Sequence, residues 1–229
     1  MTAPLRLALV SAFPPGRQSL NEYGLHLART LAEREDVAEV VVLADRLDGS
    51  QRELDLGPKV RVERVWRFNS TLATPAILHA LARVAPDGAI WNLQTATFGD
   101  RELPAALGLF GPALARMLGT PSGIIAHNLI AGIDLEQTQL AGARLRQAVV
   151  RAGGAVVTRA MMAADYTTVT LRSYADHLNV AYPRAETHLV PHGTFDGQEG
   201  CATPLATRRR SHSRTAPVFS RWRTCPPKR

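Results

Sequence analysis

Polar side chains that could bind a ligand stand just beyond two apolar segments of this chain. His127 and Asn128 directly follow one segment, and Asn92, Gln94 and Thr95 lie at the tip of another. Imidazole, amide and hydroxyl groups can form hydrogen bonds with the hydroxyls of a polar ligand. The competing interpretation is structural, because a part-buried histidine is often satisfied by neighbouring backbone, and asparagine and threonine are common in turns. Both interpretations stay open for these residues.

Several motifs of nucleotide binding and hydrolysis are missing from the sequence. A dinucleotide site needs G-x-G-x-x-G after the first strand, but only Gly16 stands in the first loop, so Asp45 at the end of the second strand has no glycine pattern to act with. There is no P-loop, no D-x-D pair for a nucleotide-bound Mg²⁺, and the segment Gly119–Gly123 is not a nucleophile elbow. We therefore expect neither NAD nor FAD binding and no serine-hydrolase chemistry.

Histidines and cysteines near the C-terminus do not form a zinc motif. His192, Cys201, His212 and Cys225 are far apart in the sequence and include no C-x-x-C pair. Structural zinc sites usually draw on such a close pair. We expect no metal site.

Strand and helix patterns alternate along the chain, which is typical of a parallel sheet covered on both faces. The predicted strands are Leu5–Ser11, Glu39–Ala44, Val60–Val65 (an edge strand), Gly88–Leu93, Gly123–His127, Tyr166–Leu171 and Thr187–Val190. The predicted helices are Leu20–Arg34 with Ser19 or Asn21 as N-cap, Pro75–Val84, Glu102–Leu118, one or two within Leu135–Ala164, and Ser173–Tyr182 begun by a good N-cap.

Right-handed crossovers between these elements give an α/β fold with a Rossmann-like, doubly wound parallel sheet. In such sheets ligands bind beyond the carboxyl ends of the strands. We therefore expect the site in the strand-end loops Phe13–Ser19, Asn92–Asp100 and His127–Ile133.

Charge divides the chain at about Asp196. The chain has 27 Lys and Arg and 20 Asp and Glu; eight of the basic residues and one acid lie in residues 197–229, so residues 1–196 hold 19 of each. We predict one domain over residues 1–196 and a disordered basic tail, rich in Arg, Ser and Pro, over residues 197–229. The abrupt change in composition also fits translation in a wrong reading frame.

The predicted domain carries no sign of export or membrane insertion. Its apolar start, Leu5–Val10, is short and contains Arg6, which favours a buried strand over a signal peptide. The longest uncharged run, Met117–Ile133, is interrupted by glycine and proline. Both cysteines lie in the tail, and a domain without cysteine fits a reducing cytoplasm. We expect a cytoplasmic protein, with peripheral contact to a membrane through Arg144–Arg159 left open.

Four stretches, read in order, form a larger pattern. They are Phe13-Pro14-Pro15-Gly16 leading to a helix with Leu27-Ala28 and Leu31-Ala32, Pro86–Asn92, Ile124–Asn128, and Ala164–Thr170 followed by Val190–Asp196. Together they resemble the N-terminal domain of GT-B-type, family-4-like retaining glycosyltransferases, and the resemblance covers nearly all of residues 5–196. Where this family often has Gly-Gly before the first helix, the chain has Ser19-Leu20. The leucine makes close approach of a donor phosphate to this loop less easy.

The resemblance implies roles for the residues at the strand ends. His127 would be the catalytic residue, reaching a donor-sugar hydroxyl next to the reacting carbon while positive charge develops there. The other substrate-binding residues that it implies are Gly16, Asn21 and Glu22 at the first loop and helix, and Asn92, Gln94, Thr95 and Asn128 on the acceptor side.

Function by this resemblance is transfer of a sugar from a nucleotide-sugar donor to an acceptor, with retention and without an essential metal or other cofactor. The donor half would begin just past Asp196, where the remaining 33 residues are too few for a second α/β core, so we expect the isolated chain to be inactive.

Two alternatives stay open. One is a non-catalytic Rossmann-like binding module whose basic tail binds nucleic acid or an anionic membrane; salt-sensitive binding that is lost on deleting residues 197–229 would favour it. The other is a half-enzyme whose donor domain is a separate polypeptide. We interpret Arg208-Arg209-Arg210 as part of a solvated tail and expect no specific nucleic-acid partner.

Overall fold

The computed structural model of the chain describes residues 3–16, 18–47, 49, 54–129 and 144–191, and for residues 144–151 the backbone alone. The strands of this part are β1 (Leu5–Val10), β2 (Val37–Asp45), β3 (Val60–Trp66), β4 (Gly88–Leu93), β5 (Ser122–Ala126), β6 (Tyr166–Val169) and β7 (Thr187–Leu189). Its helices are α1 (Asn21–Glu33), α2 (Ala73–Val84), α3 (Glu102–Leu109), α4 (Gly111–Met117), α5 (Arg144–Met161) and α6 (Arg172–Ala181).

These strands form one parallel sheet in the order β3-β2-β1-β4-β5-β6-β7. The direction in which the chain adds strands reverses at β1, which pairs with β2 on one side and with β4 on the other. The predicted Rossmann-like, doubly wound α/β fold is therefore confirmed, and β3 is an edge strand as its alternating pattern indicated. The reversal opens a crevice at the carboxyl ends of β1 and β4, where sheets of this kind bind ligands.

Apolar side chains pack on both faces of the sheet. Because neighbouring residues of a strand point to opposite faces, Leu9 joins a cluster with Ala28 of α1, whereas Ala8 and Val10 join a larger cluster. The larger cluster takes its helical members from α2 to α6, for example Ile77 of α2. Helix α1 therefore covers the face over β1 and β2, and the other helices lie on the opposite face.

The sequence predicted a single helix over Glu102–Leu118, and this was wrong. The chain forms α3 and α4, with Phe110 between them. Pro112 has no N–H with which to continue the ladder of helical hydrogen bonds. Gly108 and Gly111 also lie so close to Phe98 and Trp91 that a Cβ at either position would overlap an aromatic ring.

The helix starts also differ from the prediction. The N-cap of α1 is Leu20, with a left-handed backbone (φ 69°) and no capping side chain, so neither Ser19 nor Asn21 is the N-cap. The N-cap of α6 is Leu171, and the helix begins at Arg172, one residue earlier than predicted. These ends are set by the packing of the whole helix, because a capping side chain contributes only about 1 kcal/mol.

Other predictions fall partly outside the described residues. Helix α5 runs through Gly153 and Gly154 without a break, while the helix predicted to begin at Leu135 would start in residues 130–143, which are not described. Residues 192–229 also lie outside, so the domain boundary near Asp196 and the disordered tail stay predictions. In the described residues, no helix has the length and hydropathy needed to cross a membrane.

Candidate functional site

Three polar side chains meet where β1, β4 and β5 end. Asn92, at the end of β4, is completely buried. Its Nδ2 donates hydrogen bonds to Ser11 Oγ at 2.9 Å and to the carbonyl oxygen of Leu20 at 3.4 Å. Its Oδ1 lies 2.7 Å from Nε2 of His127, which directly follows β5. The structure thus joins the predicted residues Asn92 and His127 to each other at the reversal of the strand order.

The partners of Asn92 decide the protonation of the His127 ring. Because the Asn92 amide nitrogen donates to two oxygen acceptors, its Oδ1 must accept, and Nε2 of His127 carries the proton. The Nδ1 atom is shielded from solvent. The Tyr23 ring packs edge-on against the imidazole, with centroids 4.4 Å apart and planes at 83°. A ligand can therefore form a hydrogen bond with a nitrogen of the His127 ring only if His127 gives up its hydrogen bond with Asn92 or the ring rotates.

Two features of the sequence place this network under α1. In β4, Trp91 and Leu93 enter the larger cluster, so Asn92 between them points to the face that α1 covers. On α1, Gly24 lies directly against the Ser11 side chain, and a Cβ at this position would also come within 2.9 Å of the Ala12 carbonyl oxygen. Only glycine lets the first turn of α1 close over Ser11. Burial there raises the pKa of the Tyr23 hydroxyl, which stays neutral.

A buried ion pair holds the loop after β1. Asp45, at the end of β2, accepts a hydrogen bond from the Phe13 N–H at 2.9 Å. Arg64 on β3 lies 3.6 Å from the same carboxylate and donates to the carbonyl oxygens of Phe13 and Pro14, at 3.0 and 2.5 Å. Asp45 is 4% exposed, so its carboxylate fixes the loop from the interior of the protein. The Phe13 N–H is therefore already engaged by Asp45.

The predicted residues of the first loop contact one another. Asn21 Nδ2 donates to the carbonyl oxygen of Gly16, and Asn21 Oδ1 accepts from the Glu22 N–H at 2.6 Å. The Gly16 N–H in turn donates to the Phe13 carbonyl oxygen at 3.1 Å. Glu22 is exposed in the first turn of α1, where a carboxylate is favourable for the helix dipole. Gly16 and Asn21 therefore shape the loop, and Glu22 faces solvent.

The remaining predicted site residues, Gln94, Thr95 and Asn128, lie in the loops that follow β4 and β5. Asn128 Oδ1 accepts the Thr95 N–H at 2.7 Å, which joins the loop after β5 to the loop after β4. The Gln94 N–H donates to Thr97 Oγ1 at 2.7 Å, and the Thr97 N–H returns a bond to the Gln94 carbonyl oxygen. These two hydrogen bonds stabilise a turn at the tip of β4. The side chains of Gln94 and Thr95 are half-buried.

Sequence reasoning missed the residues that support this edge. They are Ser11, Tyr23 and Arg64, together with Asn69, which has a left-handed backbone (φ 61°) and accepts the N–H groups of Asp100 and Arg101. Ser11 could have been found, because it directly follows β1 as His127 directly follows β5. No local signal marks Arg64 or Asn69, since their partners lie on other loops.

A metal site is not visible in the part of the chain that the structure describes: no three His, Cys, Asp or Glu side chains gather there. Of the four residues considered for zinc, all from His192 to Cys225 lie outside the described residues.

Comparison with solved structures finds a similar fold in Phytolacca americana UGT2. Phytolacca americana UGT2 complexed with UDP-2fluoro-glucose and pterostilbene matches with a TM-score of 0.54 and 14% identity, over 84% of this chain and 53% of that chain. The apo form of UGT2 gives a TM-score of 0.53 at 14% identity, over 84% and 52%. The glycotransferase of kitacinnamycin gives 0.47 at 15% identity, over 88% and 55%.

The chain spans about half the length of these structures. No protein-family model and no curated protein matches the sequence. At such low identity the likeness shows the fold alone: a Rossmann-like α/β domain similar to about half of the UGT2 chain.

Proposed function

We propose that this chain is the acceptor-side half of a GT-B glycosyltransferase of the family-4-like, retaining kind, whose donor half would follow residue 196. The observation that carries the proposal is the pairing of His127 with the buried Asn92 at the reversal of the strand order, the edge at which sheets of this type bind ligands. The fold of UGT2, which was solved with UDP-2fluoro-glucose and pterostilbene, supports it.

In the proposed reaction, the bond between the anomeric carbon of the donor sugar and the diphosphate oxygen breaks, and the oxygen of an acceptor hydroxyl bonds to the same face of that carbon while its proton passes to the departing diphosphate. Positive charge develops on the sugar ring as the diphosphate leaves. His127 would exchange its hydrogen bond with Asn92 for one with the sugar hydroxyl next to the reacting carbon. Asn92 and Tyr23 would hold the imidazole in the orientation required before the donor arrives.

The loops around His127 would form the acceptor side of the cleft. Gln94 and Thr95 border it at the tip of β4, and Asn128 fixes the spacing of the two tips through its bond to Thr95. The donor diphosphate would be bound by the other half, because the Phe13 amide is already engaged by Asp45. A nucleotide-sugar is the donor substrate in this proposal, which includes no metal or other cofactor.

The gene itself tests whether a donor half belongs to this chain. We would resequence codons 190–229 and translate the downstream DNA in all three frames. The proposal predicts a second α/β domain with two glutamates at E-x₇-E spacing in another frame. A confirmed stop codon with no such domain downstream, and no separate polypeptide that copurifies and supplies one, would contradict it.

A further inference from the structure

A second cleft lies at the amino ends of β6 and β7. It is formed by the ends of α5 and α6 and by the segment that leads into β7, and its volume is about 490 Å³. Pockets for small molecules usually measure about 300–1,000 Å³, so an organic ligand of modest size would fit. We call it the 159–185 cleft. Its lining includes Arg159, Met162, Ala181, Tyr182, Arg184 and Ala185.

Two arginines give the 159–185 cleft its charge. Of the described residues that line it, Arg159 and Arg184 are the charged ones, and none is acidic. Both side chains are exposed. Within the part of the chain that the structure describes, neither guanidinium has an ion pair or a hydrogen bond. The cleft therefore has two positive charges that no residue of its lining balances.

The acids closest in sequence to these arginines contact other side chains. Asp165 accepts a hydrogen bond from Arg116 at 2.7 Å. Glu186 lies 3.0 Å from His188. A concave surface lined by charges of one sign concentrates ions of the opposite sign, so the 159–185 cleft should attract anions.

The rest of the lining is mainly apolar. Met162 is buried and belongs to the larger cluster, and Tyr182 and Ala185 pack against that cluster. A single cleft thus combines exposed guanidinium groups with apolar side chains that continue into the core. Such a combination suits a ligand that has an anionic group and an apolar or aromatic part.

We propose that the 159–185 cleft binds a phosphate monoester of an apolar or aromatic group. The planar guanidinium of arginine matches the geometry of phosphate oxygens. A monoester carries about 1.5 to 2 negative charges at neutral pH, which two arginines can balance. Met162 and Tyr182 would contact the organic part. The cleft lies at the opposite edge of the sheet from the Asn92–His127 pair, so this proposal does not depend on the proposed glycosyl transfer.

Isothermal titration calorimetry of the full chain with phenyl phosphate tests the proposal. We expect Arg159→Gln and Arg184→Gln each to weaken binding about tenfold, because each variant loses a charge-assisted hydrogen bond to the phosphate. Arg172→Gln is the matched control, since Arg172 is exposed and stands at the other end of α6. Equal weakening by the control would overturn the proposal.

Two further probes separate the two kinds of lining and the two sources of such a ligand. Inorganic phosphate lacks the organic part and should bind several-fold more weakly than phenyl phosphate. Equal affinities would contradict the role given to the apolar lining. Vesicles that contain phosphatidic acid present the same monoester on a lipid, and binding to vesicles alone would identify a lipid headgroup as the ligand. A wild-type chain that binds neither these vesicles nor phenyl phosphate at about 10 mM would overturn the proposal.

Modification of arginines by phenylglyoxal locates the bound probe without any substitution. Mass spectrometry after limited reaction measures the rate at each arginine. Saturating phenyl phosphate should slow the reaction of Arg159 and Arg184 several-fold and leave that of Arg172 unchanged. Equal protection of all three arginines, or protection of neither Arg159 nor Arg184, would place the bound phosphate elsewhere and contradict the proposal.

Discussion

Asn92 uses both ends of its amide while it is completely buried, and this makes it the most constrained polar residue of the site. Asn92→Ala would leave Ser11, His127 and the Leu20 carbonyl oxygen without their shared partner. We expect the free energy of unfolding to fall by about 2–3 kcal/mol, as for other buried polar groups that lose a partner. Urea denaturation measures this loss of stability. Thr95→Ala is the control, because Thr95 is only half-buried. Equal losses for the two variants would contradict the role given to Asn92.

The backbone of Leu20 has a left-handed conformation, which glycine adopts more easily than leucine. Its φ of 69° costs a residue with a Cβ roughly 1–2 kcal/mol. Leu20→Gly and Leu20→Ala remove the same side-chain contacts, but only the glycine variant relieves the strain. We expect the glycine variant to be more stable than the alanine variant by about 1 kcal/mol in urea denaturation. An alanine variant as stable as the glycine variant would show that the left-handed backbone carries no cost here.

The position at strand ends, together with the family resemblance, made Asn92 and His127 candidates from the sequence, but neither could show that they bond to each other. That contact depends on the register of β4 against β5, which are separated by two helices in the chain. Asp45 shows the same limit. The sequence considered it only as the acid of a dinucleotide site, which the missing glycine pattern excluded. Its contacts with Phe13 and Arg64, which are distant in sequence, show that it supports the first loop.

At the scale of elements, two helical glycines should respond oppositely to alanine. In α1, Gly24 lies against Ser11 and the Ala12 carbonyl oxygen, so Gly24→Ala forces the helix away from β1 and should cost about 1–3 kcal/mol. In α5, Gly153 has open space around it, so Gly153→Ala should stabilise the protein by up to about 1 kcal/mol through helix propensity. Thermal unfolding of both variants tests this. Stabilisation by Gly24→Ala would refute the close packing of α1 on β1.

Charged side chains link the first three strands at the sheet surface. Glu39 on β2 accepts hydrogen bonds from Arg61 at 3.0 Å and from Arg6 at 2.9 Å. The hydrogen bond from Arg61 is the largest cause that holds the pKa of Glu39 below its usual value. A carboxyl whose pKa is lower in the folded state stabilises the protein above its unfolded pKa. This contribution is lost as the pH falls through the folded pKa.

Glu39→Gln should therefore lower the free energy of unfolding at neutral pH, by less than about 1 kcal/mol because both arginines are about half exposed. The difference from the wild type should shrink as the pH falls below about 4. Chemical denaturation across this pH range measures it. Glu35→Gln is the control, because Glu35 is exposed and has no ion pair among the described residues. A difference that does not change with pH would contradict the assignment.

The periodicity of the sequence was sufficient for most elements but not for their ends. All seven strands lie where alternating or apolar runs predicted them, because a strand buried on both faces leaves a clear apolar run. The break between α3 and α4 was missed although Pro112 is visible in the sequence, while the close contacts of Gly108 with Phe98 and of Gly111 with Trp91 are not. Such contacts leave no local pattern in the sequence.

At the scale of the whole molecule, the candidate site lies at one edge of the sheet. The Asn92–His127 pair lies at the edge where a Rossmann-like sheet binds ligands, and the described residues there bind mainly one another. In the proposed enzyme this edge would face a second domain that holds the donor.

The most direct test is sugar transfer by the protein with its downstream reading frame restored, followed as release of nucleoside diphosphate from a panel of nucleotide-sugars and acceptors. The account predicts release that needs the restored half and falls about 10²-fold or more in kcat/KM with His127→Ala, and much less with Thr95→Ala. A restored, folded protein that releases no nucleotide from any donor, or one that His127→Ala leaves fully active, would contradict it.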